Sequence, residues 1–391
     1  MVRLLDACDG IRVGSLPMSR SSLPFMLLWA VLLLAPVQAL ADELHGRGSA
    51  AFATTEDPQN PTTRYLVAFT DHANGDVKVG SWTSAGGNSC GMNGFVSTTA
   101  LPTTAGMANV VEYSSVSISR SGLLAVPAFT SLSPVVGHVF VLAHTGNDSC
   151  AGWGGSWIDI GQAGSDIPIS APATISWVDG SDIYEYVAVE ARASTSQYFD
   201  LAFRKWNGSS WSNWGWSTGL SSLYNSQPAL AMFNGDMYIY GIADADPTVV
   251  SESHALSFTS GGEPNWASSG SSTGLYFVNS SGLYYPTACS ATASADTLLV
   301  VCGDNQNPMH YWANVYNGRG WSSSTTWYDQ GSPSFVHGGV TRYADTRPAA
   351  GFFSDYGTSW NFMLIGASNS YSYFMESDYT TSWSGWASRS F

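Results

Sequence analysis

The chain has 391 residues, of which 11 % are charged and 13 % aromatic, and its formal net charge is −15. Its only lysines are Lys78 and Lys205, so there is no basic face for phosphate, which excludes nucleic acid as a partner. A composition with 40 Gly and abundant Ser, Thr, Tyr and Trp suits short strands joined by tight turns, which is the all-β class.

In chain order, the first element is not part of a fold. Arg20 precedes an apolar run within Phe25 to Leu40, which ends on Ala39-Leu40-Ala41, a small-x-small cleavage pattern. The run is too short to span a bilayer, so residues 1–41 read as a signal peptide, with Met18 as an alternative start. No later stretch holds 18 consecutive apolar residues, so no membrane span is expected, and a secreted chain of residues 42–391 follows. The mature chain keeps four cysteines, an even number that suits two disulfides in an exported protein. Cys289 and Cys302 flank a short loop between two strand-like runs and are paired here; that leaves Cys90 with Cys150.

From residue 49 onward one module recurs: a small or polar residue, often Pro, then an alternating strand, a turn and a strongly apolar strand. It opens at Ser49 and Ser115, then at Pro172, Pro228, Pro286 and Pro348, the prolines lying 56, 58 and 62 residues apart. A second module follows each copy: a strand, a Gly-containing turn, then Trp. It ends at Trp82, Trp157, Trp211, Trp266, Trp321 and Trp383, and the four central tryptophans lie 54, 55 and 55 residues apart. Each unit therefore holds four short strands, and there are six units. A lone four-stranded meander cannot bury both faces, whereas sheets set radially cover each other. The expected fold is a single six-bladed β-propeller of four-stranded antiparallel blades. A seven-bladed ring is the alternative, with a degenerate blade between Gly91 and Tyr113.

Repeated tryptophans pack between blades. Sixteen Trp and nineteen Tyr exceed what a core alone needs, so some of them are read as exposed platforms for sugar rings. Trp153, Trp206, Trp214, Trp216, Trp312 and Trp327 lie outside the main repeat position and are the candidates.

The run Trp206-Asn-Gly-Ser-Ser-Trp211-Ser-Asn-Trp214, followed by Gln227-Pro-Ala and a Val/Tyr/Ile-rich strand, resembles the repeat of the PLL-like and tectonin-like lectin propellers. It is also distantly similar to the six-bladed fungal fucose lectins. The resemblance implies glycan pockets between blades, built from Trp, Tyr, Arg and Glu and taking fucosylated or O-methylated sugars. Arg204, Arg319 and Glu190 are the polar residues that could serve such pockets. The fungal lectins repeat an Arg and a Glu in every site; here nine Arg follow the signal peptide, out of register with the repeat.

An enzyme is the first alternative: a glycoside hydrolase or polysaccharide lyase with one site at the central channel. A sialidase needs three arginines around a carboxylate. Arg192, Arg342 and Arg347 are present, but the Ser-x-Asp-x-Gly-x-x-Trp box occurs in no clean form. Asp179, Asp236, Asp296 and Asp355 recur after the first strands, as turn chemistry does. His138, His144, His254 and His310 open or precede strands of the second module. A protein-binding propeller is the second alternative. No catalytic residue and no cofactor is assigned. Calcium is the one metal that spacing leaves open, at Asp244-Ala-Asp246 and Asp304 to Asn307, where Asx turns serve equally well. The expectation is a secreted carbohydrate-binding protein.

Overall fold

A computed structural model describes residues 51–57, 60–71, 76–83, 95–99, 107–108, 116–119, 121–130, 137–143, 153–163, 170–179, 182–192, 199–217, 223, 227–242, 249–266, 271–279, 281–293, 297–316, 327–337, 339–355, 359–368, 371–379 and 387–390. Among them there is no helix. The strands form six antiparallel sheets, here blades I to VI, and one separate hairpin.

Blade I runs from Ala51–Asp57 through Asn60–Asp71 and Asp76–Thr83 to Phe95–Ser97. Blade II has Met107–Ala108 and Ser117–Ile118 end to end along one edge of Leu123–Thr130, then Gly137–Ala143 and Ile158–Gln162. Blade III is Ala173–Asp179, Asp182–Ala191, Asp200–Trp206 and Gly215–Trp216. Blade IV starts with Ala229–Phe233, Asp236–Ile242 and Val249–Phe258, and its outer edge carries Pro264–Trp266 and a hairpin of Ser271–Asn279 and Gly282–Tyr284. Blade V is Pro286–Ala293, Leu298–Asp304, Tyr311–Tyr316 and Tyr328–Asp329. Blade VI is Ala349–Asp355, Ser359–Ser368, Tyr371–Tyr379 and Ala387–Ser390.

The first strands of successive blades touch in order, from I through VI, and the first strand of blade VI touches that of blade I again. That closes the ring, and the fold is a six-bladed β-propeller. The stretch suspected of hiding a seventh blade is divided: Phe95–Ser97 completes blade I, and Met107–Ala108 joins blade II. Blade I is built wholly from the early strands and blade VI wholly from the last ones, so no blade mixes strands from the two ends. Two additions depart from the regular repeat: the Ser271–Tyr284 hairpin of blade IV, and the separate hairpin Ser334–His337 with Val340–Tyr343 ahead of blade VI. They lie within the two longer proline intervals.

The core lies between blades. A second strand is covered on both faces, so it reads as an unbroken apolar run rather than as an alternation. Leu298–Asp304 is buried throughout, as is Tyr184–Ala191 in blade III. In blade III the two faces serve different neighbours. Val187, Val189 and Ala191 pack with Leu123, Val139 and Val141 of blade II. Tyr184, Tyr186 and Ala188 pack with Leu230, Met237 and Ile239 of blade IV. A fully buried Val or Leu contributes roughly 1.5–3 kcal/mol, so each interface is a small core in its own right.

Two of the repeated tryptophans, Trp157 and Trp266, stand at these interfaces. Trp157 is buried between blades I and II and donates from Nε1 to the Thr99 carbonyl at 2.9 Å. Trp266 of blade IV meets Phe203 of blade III edge-on, with centroids 5.4 Å apart. The disulfide between Cys289 and Cys302 is present and joins directly opposite residues of the first two strands of blade V. Cys90 and Cys150 lie outside the described residues.

Candidate functional site: a cleft between blades II and III

The cleft is made by the segment that carries the resemblance. Trp206 ends the third strand of blade III. The Asn207 side chain then accepts from the backbone N–H of Ser209 at 3.0 Å and of Ser210 at 2.9 Å. Gly208 takes φ +89°, a conformation that side chains with a Cβ disfavour. This tight turn brings Trp211 back to bridge Trp206, with ring centroids 5.7 Å apart and planes tilted by 48°. The two indoles and blade II face one space. This is a cleft of about 490 Å³ lined by Ser121, Leu123, Val141 and Ile158 from blade II and by Asp182, Ile183, Glu185 and Asn207 from blade III.

Glu185 is the polar centre of this wall. It sits on the blade II face of its strand, where the apolar stripe Val187, Val189 and Ala191 ends. Its cross-strand partners are Ser176 and Trp206. Only 5 % of the residue is exposed. The Ser176 hydroxyl donates to Oε1 and Oε2 at 3.0 and 3.1 Å, and Ser121 of blade II bonds Oε1. Burial outweighs the hydroxyls of Ser119 and Ser176 and pushes the carboxyl up to about 8. At neutral pH Glu185 is therefore mostly a neutral acid that can donate a proton or a hydrogen bond.

The equivalent space between blades III and IV is filled. There the corresponding turn, Thr259 to Glu263, follows Phe258, which stacks on Trp177 of blade III at 4.2 Å and 18°. Gly262 lies so close to the Tyr184 ring that a Cβ would meet it at 2.6 Å. Tyr186 donates to the Gly262 carbonyl at 2.5 Å, and Lys205 bonds the Gly261 carbonyl and Glu263. Between blades IV and V, Phe277 of the extra hairpin stacks on Trp312 at 5.3 Å and 5°, with Trp327 edge-on at 5.1 Å. The cleft between II and III stays open because blade II offers Ser121 and Leu123 where blade III offers Trp177 and Tyr184.

Of the sequence-predicted residues, Trp206 lines the cleft. Arg204 and Trp214 stand beside it as braces: the Arg204 guanidinium and the Trp214 Nε1, the latter at 3.2 Å, both donate to the Ile160 carbonyl of blade II. Arg204 also bonds the Ser212 carbonyl, and burial lowers its pKa. Trp216 is 39 % exposed, on the outer strand and away from the cleft lining.

Four expectations are corrected. Trp153, Trp312 and Trp327 are buried and cannot act as surface platforms. Trp153 belongs to the core between blades I and II; Trp312 and Trp327 to that between IV and V. Glu190 is fully buried and lies on the opposite face of its strand from Glu185, toward Gly241 of blade IV. The pattern located the right strand and residue type, but the period of two put Glu190 on the other face. Arg319 lies outside the described residues.

Sequence reasoning missed Glu185, Ser121, Asp182 and Ile158, and read Trp211 as packing alone. The one available signal was a second Glu inside an otherwise apolar strand.

Two of the other candidates, His138 and His310, are each paired with an aspartate. They place Nδ1 3.0 Å from Asp159 and Asp329, and each Asp also accepts the N–H of a following glycine, Gly161 or Gly331, at 2.7 Å. The same arrangement in blades II and V marks a repeated turn. In blade III the register position of those aspartates is held by Trp216. Asp304 accepts from the backbone N–H of Gln306 and His310 and from Trp312 Nε1, so N–H donors occupy the oxygens that a cation would need. Asp244 and Asp246 lie outside the described residues. The channel at the ring axis narrows to a cavity of about 50 Å³, far smaller than the interblade cleft.

No family profile and no characterised protein matches the chain at the level of sequence. Several solved structures are similar to it. One is the fucose-specific lectin from Aleuria aurantia, at 14 % identity over 89 % of this chain and 96 % of that one, with a TM-score of 0.49. Trypanosoma rangeli sialidase is similar at 10 % identity over 86 % of this chain and 55 % of that one, with a TM-score of 0.47. The GH93 α-L-arabinofuranosidase of Fusarium graminearum is similar at 11 % identity over 84 % of this chain and 89 % of that one, with a TM-score of 0.44. The ring itself rests on the closure of its own first strands.

Proposed function

We propose that the protein is a secreted carbohydrate-binding protein whose glycan site is the cleft between blades II and III. The observation that carries the reading is the tilted Trp206/Trp211 pair at an open cleft, with polar groups of blade III beside it and Ser121 of blade II across it. Indole faces stack on the apolar C–H faces of sugar rings, and Asp182, Asn207, Ser121 and neutral Glu185 offer acceptors and donors for hydroxyls. Fucosylated and O-methylated sugars fit best, since each adds a methyl to the surface that meets the indoles. One such cleft binds weakly on its own, so tight binding would need several presented together. Residues 1–41 serve as the export signal, consistent with the Cys289–Cys302 disulfide.

One observation favours a second reading, a glycoside-cleaving enzyme. Glu185 is a carboxyl held neutral near pH 7 in a cleft that also contains Asp182, and glycoside hydrolysis uses an acid with a raised pKa beside a second carboxylate. A glycan array followed by product analysis separates the two. The lectin reading expects retained glycans and no released sugar. Turnover abolished by Glu185→Gln establishes the enzyme instead, and a blank array with no released sugar contradicts both.

A further inference from the structure

The channel at the ring axis has a feature that the cleft does not explain. Its narrow cavity is lined by the first strands of all six blades, among them Ala51, Ser117, Thr174, Pro228, Ser290 and Arg347. Arg347 precedes Pro348 at the start of the first strand of blade VI, the place held by Ala171, Gln227 and Tyr285 in blades III, IV and V. Although the residue as a whole is only half-buried, Nε and Nη1 are sealed from solvent and have no hydrogen-bond partner. No carboxylate lines this cavity among the described residues. Ser117 and Thr174 bond each other at 2.8 Å, while the Ser290 hydroxyl accepts from Ala350 N–H at 3.2 Å and keeps its own proton to donate.

A guanidinium with two nitrogens sealed from water and left without acceptors is costly in a folded protein. It persists where a counter-charge is present. Here the cavity is walled by a guanidinium and a free hydroxyl donor, and it is too small for a sugar or a peptide.

We propose that a compact monovalent anion binds in the ring channel against Arg347, with Ser290 as a second donor. The site ties together six first strands from six blades, so filling it stabilises the closed ring. Burial pulls Arg347 down to about 9, so it stays charged near neutral pH, and an anion beside it would push that value back up. The site is independent of the glycan cleft.

The test uses the whole protein. Its thermal midpoint is followed as sodium chloride, bromide or formate is raised to about 100 mM, with ionic strength held by 2-(N-morpholino)ethanesulfonate, which is too bulky for the channel. The expected result is a saturating rise of several degrees in the wild type and none in Arg347→Met or Arg347→Gln. A rise with formate but not with the halides assigns the site to a small carboxylate; a rise with the halides assigns it to an inorganic ion. Crystals grown in bromide should show an anomalous peak at hydrogen-bond distance from the Arg347 guanidinium, and this arm decides even if neither variant folds. An equal anion response in wild type and variants, or no response to any of the three salts, overturns the proposal, as does the absence of a bromide peak beside Arg347 where the halides raise the midpoint.

Discussion

Glu185 and Trp206 stand directly opposite each other on the second and third strands of blade III, so the buried acid and the aromatic wall of the cleft share one sheet face. This pairing joins the pH response of the fold to the binding surface.

The pH response has a definite sign. Glu185 has an ordinary pKa of 4.5 when unfolded and about 8 when folded. Its contribution is complete below pH 4.5 and is lost as the pH rises through 8, an upper bound of about 5 kcal/mol. Glu185→Gln mimics the neutral acid. Urea midpoints at pH 5, 7 and 9 should fall with pH in the wild type and stay flatter in the variant, which should be the more stable protein at pH 9.

The tryptophans divide into wall and core. Trp312 is fully buried, stacked on Phe277, and bonded through Nε1 to Asp304 at 2.7 Å. Trp312→Ala should cost about 4 kcal/mol and leave a buried carboxylate without its donor. Trp206 is half-buried at the rim, and Trp206→Ala should cost about 1 kcal/mol. Paired denaturation curves check the difference.

Gly262 fills the cleft between blades III and IV only because it lacks a Cβ. It combines φ +72° with the 2.6 Å approach to Tyr184. Gly262→Ala should destabilise by about 2 kcal/mol and loosen the Thr259–Glu263 turn, seen as a lower thermal midpoint and faster amide exchange there.

The Cys289–Cys302 bond closes a loop with a sequence separation of 13. Loops of this size stabilise by about 3 kcal/mol through the unfolded chain. The Cys289→Ser/Cys302→Ser double variant should lose about that much in a denaturant titration, while its sugar affinity stays unchanged because blade V does not line the cleft.

The ring was legible in the sequence because its signals are periodic: Pro172, Pro228, Pro286 and Pro348 begin equivalent strands, and Trp157, Trp211 and Trp266 return to equivalent interfaces. The site was only partly legible. The Trp206-Asn-Gly-Ser-Ser-Trp211 run announced its own turn, because Asn207 and Gly208 specify that geometry locally. Whether the space under such a turn is open depends on the neighbouring blade, where Ser121 leaves room and Trp177 does not. That is a contact between residues more than 50 positions apart, and no local pattern encodes it. Trp312 and Trp327 were misread for the same reason, since the hairpin that carries Phe277 over them is an addition to the repeat.

The central claim is that the Trp206/Trp211 cleft binds glycan. The most direct measurement is a calorimetric titration of wild type and Trp206→Ala with the best sugar from the array, at matched thermal midpoints. Loss of one interblade site, or an affinity lowered at least about tenfold by removal of one stacking indole, is the predicted result. Undiminished affinity and stoichiometry in Trp206→Ala would place the sugar elsewhere and contradict the account.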